Sequence, residues 1–294
     1  MLAELKELWR YRELLLVMVQ RDLKIRYKNS ALGFLWSFLN PLLTVGVMTF
    51  VYSNFIFQKQ PNMAAYIMAA YLPFMFFQMC LLDSAQSIIV ALPLIKKIYF
   101  PREILPLAAV LSNFVNFLFA LAIFFAYLLI NYALHPGSFP IQPTVVILPL
   151  LILISFCLSL GASFIVSALN TFYEDIKYIV GVVLYLLFFL SPVVYFDETV
   201  ANSHLNQNSG WLAYKIYNLN PIAQLCTAYK KAVLAPYDPR VMAPAGASPD
   251  EIVRVGAIPL SWKYLAITGV TSFLVLYLGY TLFNRLKWRF VERP

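Results

Sequence analysis

From Ile104 to Tyr173 the chain runs for 70 residues without one Asp, Glu, Lys or Arg. A helix needs roughly 20 apolar residues to cross the hydrocarbon layer of a bilayer, so this run is too long for one crossing. His135-Pro136-Gly137, with Pro140 and Pro143, supplies the turn that divides it. Two spans are expected, at 104–134 and 144–170. Composition agrees with a lipid solvent. Hydrophobic residues make up 61% of the 294 and charged residues 12%, against roughly 25% charged in a soluble domain.

The rest of the chain continues the pattern. Residues 33–57 carry no charge, and the run from Met63 to Ile95 is interrupted only by Asp83, which gives spans at 33–57 and 63–90. A fifth span at 178–196 is broken by Ser191-Pro192, and the last lies at 264–284. The stretch Ile216–Tyr229, between Lys215 and Lys230-Lys231, is too short to cross. Backbone of that kind survives at membrane depth only when buried in protein or lining a wet cavity. The expected fold is an all-α polytopic membrane protein with six transmembrane helices and an N-terminal amphipathic interface helix. Re-entrant outer-side helices and a Pro- and Gly-rich loop at 236–260 fill the outer region, 197–263, before the last span.

Six spans place both ends on one side. Fifteen of the 22 basic residues belong to that side: seven within residues 1–30, then Lys96, Lys97, Arg102, Lys177, Arg285, Lys287, Arg289 and Arg293. Short loops rich in Lys and Arg stay inside, so both termini are expected in the cytoplasm of a bacterial inner membrane. The pI near 9.3 is therefore read as membrane orientation and not as nucleic-acid binding. Leu14–Val19 is too short for the apolar core of a signal peptide, and no small-residue cleavage site follows it. Cys80, Cys157 and Cys226 have no metal spacing, no nucleotide-phosphate loop or zinc-protease motif occurs, and there are only two histidines, His135 and His204. No internal repeat of the secondary-transporter kind is evident. Active transport would need a second subunit to supply energy.

Three segments stand out. In Glu4–Lys28, Leu5, Leu8, Leu15, Leu16, Val19 and Leu23 recur at three- and four-residue steps among Arg and Lys. That describes an amphipathic helix in the membrane interface, serving as a simple anchor or as something more. Residues 92–103 mix lysines with Ile98, Tyr99 and Phe100 between two prolines. They read equally as a partner-docking surface or as an interfacial aromatic belt. Asp83 lies well inside an apolar run, where a carboxylate costs about 2.5–3.5 kcal/mol on insertion scales. With Gln78, Ser84, Gln86 and Ser87 nearby, and Asn113 and Asn116 on the next span, it marks a polar face turned into the bundle. Interhelical hydrogen bonding alone would account for these groups. The 48 aromatic residues suit lipid contact, and would also suit stacking on the C–H faces of sugars.

These residues resemble a known family. Arg21-Asp22-Leu23-Lys24-Ile25-Arg26-Tyr27-Lys28, then Ser30, Leu32-Gly33 and Trp36 through Asn40-Pro41, looks like the N-terminal signature of ABC-2 type permeases. Such permeases export lipid-linked O-antigen, capsular polysaccharide or teichoic acid. Tyr99 through Pro106 resembles their cytoplasmic coupling element, and Asn170 through Asp175 their turn after the fourth span, with Glu174 standing where Arg is expected. Ser191-Pro192 and Asn220-Pro221 resemble the breaks of the outer re-entrant region. The resemblance covers nearly the whole chain and points to no particular polymer.

What the resemblance implies goes further than the periodicities. Two copies of the permease would pair with two cytoplasmic nucleotide-binding ATPase subunits. ATP-Mg would sit on those partners, and this chain would bind no cofactor or metal and carry no catalytic residue. Residues 92–103 would form a coupling helix docking through Lys96, Lys97, Tyr99, Phe100, Pro101, Arg102 and Glu103. Residues 1–30 would form a gate helix for the lipid-linked polysaccharide, with Arg10, Arg12, Arg21, Lys24, Arg26 and Tyr27 at the loading point. The polymer path would draw on Trp36, Asn40, Tyr52, Phe77, Asp83, Asn113 and Asn116. Other readings are an ABC-2 permease for a non-glycan substrate, a channel or secondary transporter, and a membrane-embedded lipid-sugar transferase. Asp197-Glu198 is the outer acidic pair that the transferase reading would use.

Overall fold

The computed structural model describes residues 2–27, 36–56, 62–134, 141–203, 205–206, 209, 211–235 and 258–291. Lys28, Ser30, Leu32, Gly33, the turn at 135–140 and the loop from 236 to 257 lie outside the described residues, as do the side chains of Arg26 and Tyr27. Within the described residues the chain is almost wholly helical, and its only β pairing is an isolated bridge between Ile141 and Leu234.

The helices, in order, are α1 (Leu2–Arg10), α2 (Arg12–Tyr27), α3 (Trp36–Val51), α4 (Met63–Ile95), α5 (Ile104–Leu134), α6 (Leu148–Phe172), α7 (Ile176–Leu190), α8 (Asp197–Ala201), α9 (Leu212–Leu219), α10 (Pro221–Val233) and α11 (Trp262–Leu286). Four segments are long and apolar enough to cross a membrane: Met63–Ile95, Ile104–Leu134, Pro143–Phe172 and Trp262–Phe290. The last two include short 3-10 turns, Pro143–Ile147 before α6 and Lys287–Val291 after α11. α7 has 15 residues and α3 has 16, continued by a wide π-turn at Tyr52–Ile56. As single α-helices both fall short of the roughly 20 residues a crossing takes.

The N-terminal segment is two helices, not the single one its periodicity predicts. They meet at Tyr11, whose N–H is shared between the carbonyls of Glu7 and Leu8. In α2 the buried stripe is Met18 and Val19, flanked by the half-buried Leu14, Leu15 and Leu23 at one-turn steps. Leu16, expected on that stripe, is 58% exposed. A step of one residue turns a helix by about 100°, enough to take Leu16 off a face set by residues 15, 19 and 23. That face packs on α5.

α4 and α6 form the centre. α6 carries Ser155, Ser159, Ser163, Ser167 and Thr171 at four-residue spacing, all buried. Such small residues let helix backbones approach closely in lipid. Ser163 donates to the Cys80 carbonyl of α4 at 3.2 Å, and Asn170 to the Ala85 carbonyl at 2.7 Å. The opposite side of α6 meets α11 through glycines: a Cβ on Gly161 would lie 2.5 Å from the Leu276 backbone, and one on Gly279 would strike the Gly161 carbonyl. α10 is buried almost throughout, packed against α4, α6 and α11. It starts at Pro221, with the Asn220 side chain accepting from the Ile222 and Ala223 N–H groups.

Contacts sort the turns into two ends. At one end lie α1, residues 96–103, the α6–α7 turn and the tail after α11. Tyr99 reaches Glu7 there (3.5 Å), Lys287 pairs with Glu103, and Phe172 packs on Phe290. At the other end Asn131 of α5 donates to Asn62 at the start of α4, and Tyr66 donates to the Ala235 carbonyl.

Candidate functional site: a polar groove and the two ends of the bundle

α3, α4 and α5 enclose a cavity of about 310 Å³. Five of the seven residues expected on the path line it: Trp36 and Asn40 from α3, Asp83 from α4, and Asn113 and Asn116 from α5. Asn113 Nδ2 donates to Asp83 Oδ2 at 2.7 Å and to its own helix at Ala109 O. A partly buried carboxylate is thereby given a neutral donor. Pro41 also faces the cavity; lacking an N–H, it leaves one α3 carbonyl without its intrahelical donor.

Phe77 and Tyr52 stand elsewhere. Phe77 is buried on the far side of α4, beside Pro73, Ser155 and Ile222. Its neighbour Phe76 lines the cavity, stacked on Phe117 with ring centroids 4.8 Å apart. Tyr52 belongs to the π-turn after α3 and borders neither this cavity nor the next. Counting back from Asp83 in steps of three and four reaches Met79, Phe76 and Leu72, all on the wall. That arithmetic would have chosen Phe76 over Phe77 from sequence.

A second cavity of about 310 Å³ adjoins the first at Asp83 and opens between α2, α4 and α5. Its polar lining is Arg21, Asp22, Asp83, Gln86, Ser87 and Ser112. Arg21 pairs with Asp22 at 2.8 Å. α2 is thus set beside the polar face of α4, with Asp83 common to both cavities. Among the other described cations of α1 and α2, Arg12 covers the Trp9 ring at 5.7 Å, and Arg10 and Lys24 are exposed.

Residues 92–103 are not a helix of their own. Residues 92–95 are the last turn of α4, and 96–103 form turns and extended backbone before α5. Phe100 precedes Pro101, which disfavours helical backbone at residue 100. The segment divides by exposure. Lys96, Lys97 and Ile98 are exposed and Tyr99 is 70% exposed, whereas Phe100 is 5% exposed and Pro101 and Glu103 are buried. Arg102 lies 6.0 Å over the Trp288 ring. The exposed part of the segment is therefore 96–99, with Phe100, Pro101 and Glu103 fixing it to the bundle.

At the opposite end, a cavity of about 260 Å³ holds a compact charge cluster. Lys231 contacts Asp197 at 2.7 Å and Glu198 at 3.2 Å, and Glu198 accepts the Ile258 N–H at 3.1 Å. Lys230 donates to the Tyr195 carbonyl and lies 4.9 Å over the Phe196 ring. Burial pushes Lys230 down to about 8. Burial, and then the Asp197 charge, raise Glu198 above the usual carboxylate range. The sequence marks Asp197 and Glu198 but gives no sign that Lys231 folds back onto them.

The family model described as ABC-2 type transporter matches residues 13–232. An O-antigen export system permease protein of Myxococcus xanthus is 34% identical over 230 residues, 78% of this chain and 84% of that protein. A protein of the same name from Klebsiella pneumoniae is 27% identical over 280 residues, 95% of this chain and 94% of the relative.

Proposed function

The chain belongs to the ABC-2 type transporter family, and on that premise we propose that it is the permease subunit of an ATP-driven exporter of O-antigen-type, lipid-linked polysaccharide. The observation that carries the reading is the likeness to O-antigen export permeases along almost the whole chain. The groove around Asp83 adds to it, being a polar, aromatic-walled route inside an otherwise apolar bundle.

In this reading the end bearing 96–99 faces the cytoplasm of the inner membrane, as its Lys and Arg content favours. α3 with its π-turn, and α7 with the buried turn that follows it, complete six crossings. Two copies of the chain assemble with two ATPase subunits, which bind ATP-Mg and dock at Lys96–Tyr99. The lipid-linked polymer enters beside α2, past Arg21 and Asp22, and is passed along Asp83, Asn113, Asn40 and Trp36. The sugars stack on Phe76 and Phe117. Asp197 and Glu198 are both paired with Lys231, which does not favour the transferase reading.

Deleting the gene should strip polymer from the cell surface and leave lipid-linked polymer on the cytoplasmic face, with the wild-type chain restoring export. The tagged chain, purified in mild detergent, should carry a stoichiometric nucleotide-binding subunit. Normal surface polymer in the deletion strain would overturn the proposal.

A further inference from the structure

Lys287 and Glu103 lie 184 positions apart in the sequence and meet at 2.5 Å, with Glu103 only 2% exposed. The pair is one part of a clamp. Trp288 lies under the Arg102 guanidinium, and Phe290 is fully buried against Phe283 of α11 and Phe172 of α6. The short helix Lys287–Val291 is therefore joined to the segment before α5, to the end of α6 and to α11.

The exposed residues 96–99 have one covalent continuation into the bundle through Phe100–Glu103 and α5. They have a second, non-covalent one through Glu103 and Lys287 into α11. α11 leans on α6 by direct backbone contact at Gly279 and Gly161. A side chain between two backbones can absorb a displacement by changing rotamer; two backbones in contact cannot. α6 in turn is bonded to α4, at Cys80 and Ala85, on either side of Asp83.

We infer that the Glu103–Lys287 pair is a positioning strut that carries movement of the docking segment into α11 and α6, and so to the groove at Asp83. This rests on the reading of residues 96–99 as the ATPase docking site. Neither residue touches substrate or nucleotide in it. Both act through the elements they join.

The test uses the full complex of permease and ATPase in liposomes, with ATP hydrolysis and polymer export measured on the same sample. Glu103→Gln and Lys287→Met should keep stoichiometric ATPase on the column, because Lys96–Tyr99 is intact. Export per ATP should fall about tenfold. The exchanged pair Glu103→Lys with Lys287→Glu should recover most of that loss, which a purely structural defect elsewhere would not. Wild-type export per ATP in both single variants would overturn the inference.

A thiol pair at the two positions covers the case in which single variants fold poorly. Cys80, Cys157 and Cys226 are all buried, so a short thiol-specific bifunctional linker should join residues 103 and 287 of Glu103→Cys/Lys287→Cys. Export per ATP should be low before linking and regained after it, in one preparation. No recovery on linking would overturn the strut. If the wild-type chain brings down no ATPase at all, the docking reading falls, and the strut with it, before any variant is compared.

Discussion

Asn113 of α5 donates to Asp83 of α4 at 2.7 Å, at the point where the two cavities of the groove meet. The bond supplies a carboxylate in an apolar bundle with a donor, and it ties the two helices together. Removing the donor and removing the charge are different perturbations. Asn113→Leu leaves the carboxylate without its bond and should cost about 1–3 kcal/mol, seen as a lower melting temperature in detergent. Asp83→Asn removes the charge and can keep a bond to Asn113, so stability should hold while export changes. Equal stability loss in both variants would mean that the carboxylate charge itself holds the helices.

Gly161 and Gly279 bring the backbones of α6 and α11 into contact, and neither position has room for a Cβ. Gly161→Ala and Gly279→Ala should each destabilise by about 1–3 kcal/mol through overpacking. Gly46 in α3 and Gly181 in α7 have nothing within 4 Å of an added Cβ. The same substitution there should be neutral, or stabilise by about 0.4–1 kcal/mol by restricting the unfolded chain. Thermal unfolding of the four variants in one detergent checks the contrast. Losses of the same size at all four positions would refute it.

Neighbouring aromatics in the segment before α5, proposed as the docking site, should behave oppositely. Tyr99 is 70% exposed and Phe100 is 5% exposed. Phe100→Ala empties a core position and should cost about 3–5 kcal/mol, with loss of export following loss of the folded chain. Tyr99→Ala should leave the stability within about 0.5 kcal/mol of wild type and reduce co-purification of the ATPase. A folded, fully active Phe100→Ala would contradict the buried-anchor placement.

The uncharged run 104–173 becomes two long helices, α5 and α6, because length and apolarity alone decide helix formation in lipid. Asp83, Asn113 and Asn116 could be picked from sequence because a polar group inside an apolar run is costly wherever it points. What needed coordinates was direction and distance. Choosing Phe77 over Phe76, or Leu16 over Met18, is an error of 100–200° around a helix, to which composition is blind. The serine stripe of α6 shows plain four-residue spacing, yet only the structure turns it toward α4 and turns Gly161 toward α11. The ion pairs Glu103–Lys287 and Asp197–Lys231 join residues 184 and 34 positions apart. No local pattern announces a partner at such a separation.

Lys230 offers a pH test outside the four long helices. It is buried, bonded to the Tyr195 carbonyl, with Asp197, Glu198, Lys231 and Cys226 around it, and it is pushed down from 10.5 to about 8, chiefly by burial. A cation with a lowered folded pKa contributes stability that is present above its ordinary pKa and is lost as pH falls through the folded one. Wild-type stability should therefore rise, relative to Lys230→Met, as pH is raised from about 8 to about 10.5. Below about 8 the difference between the two should be flat, since Lys230 is then charged whether the chain is folded or not. Paired melting curves of the two proteins across this range cancel the contribution of titrating groups that do not interact with Lys230. A difference independent of pH would show that Lys230 keeps its ordinary pKa, and that water reaches a side chain the structure encloses.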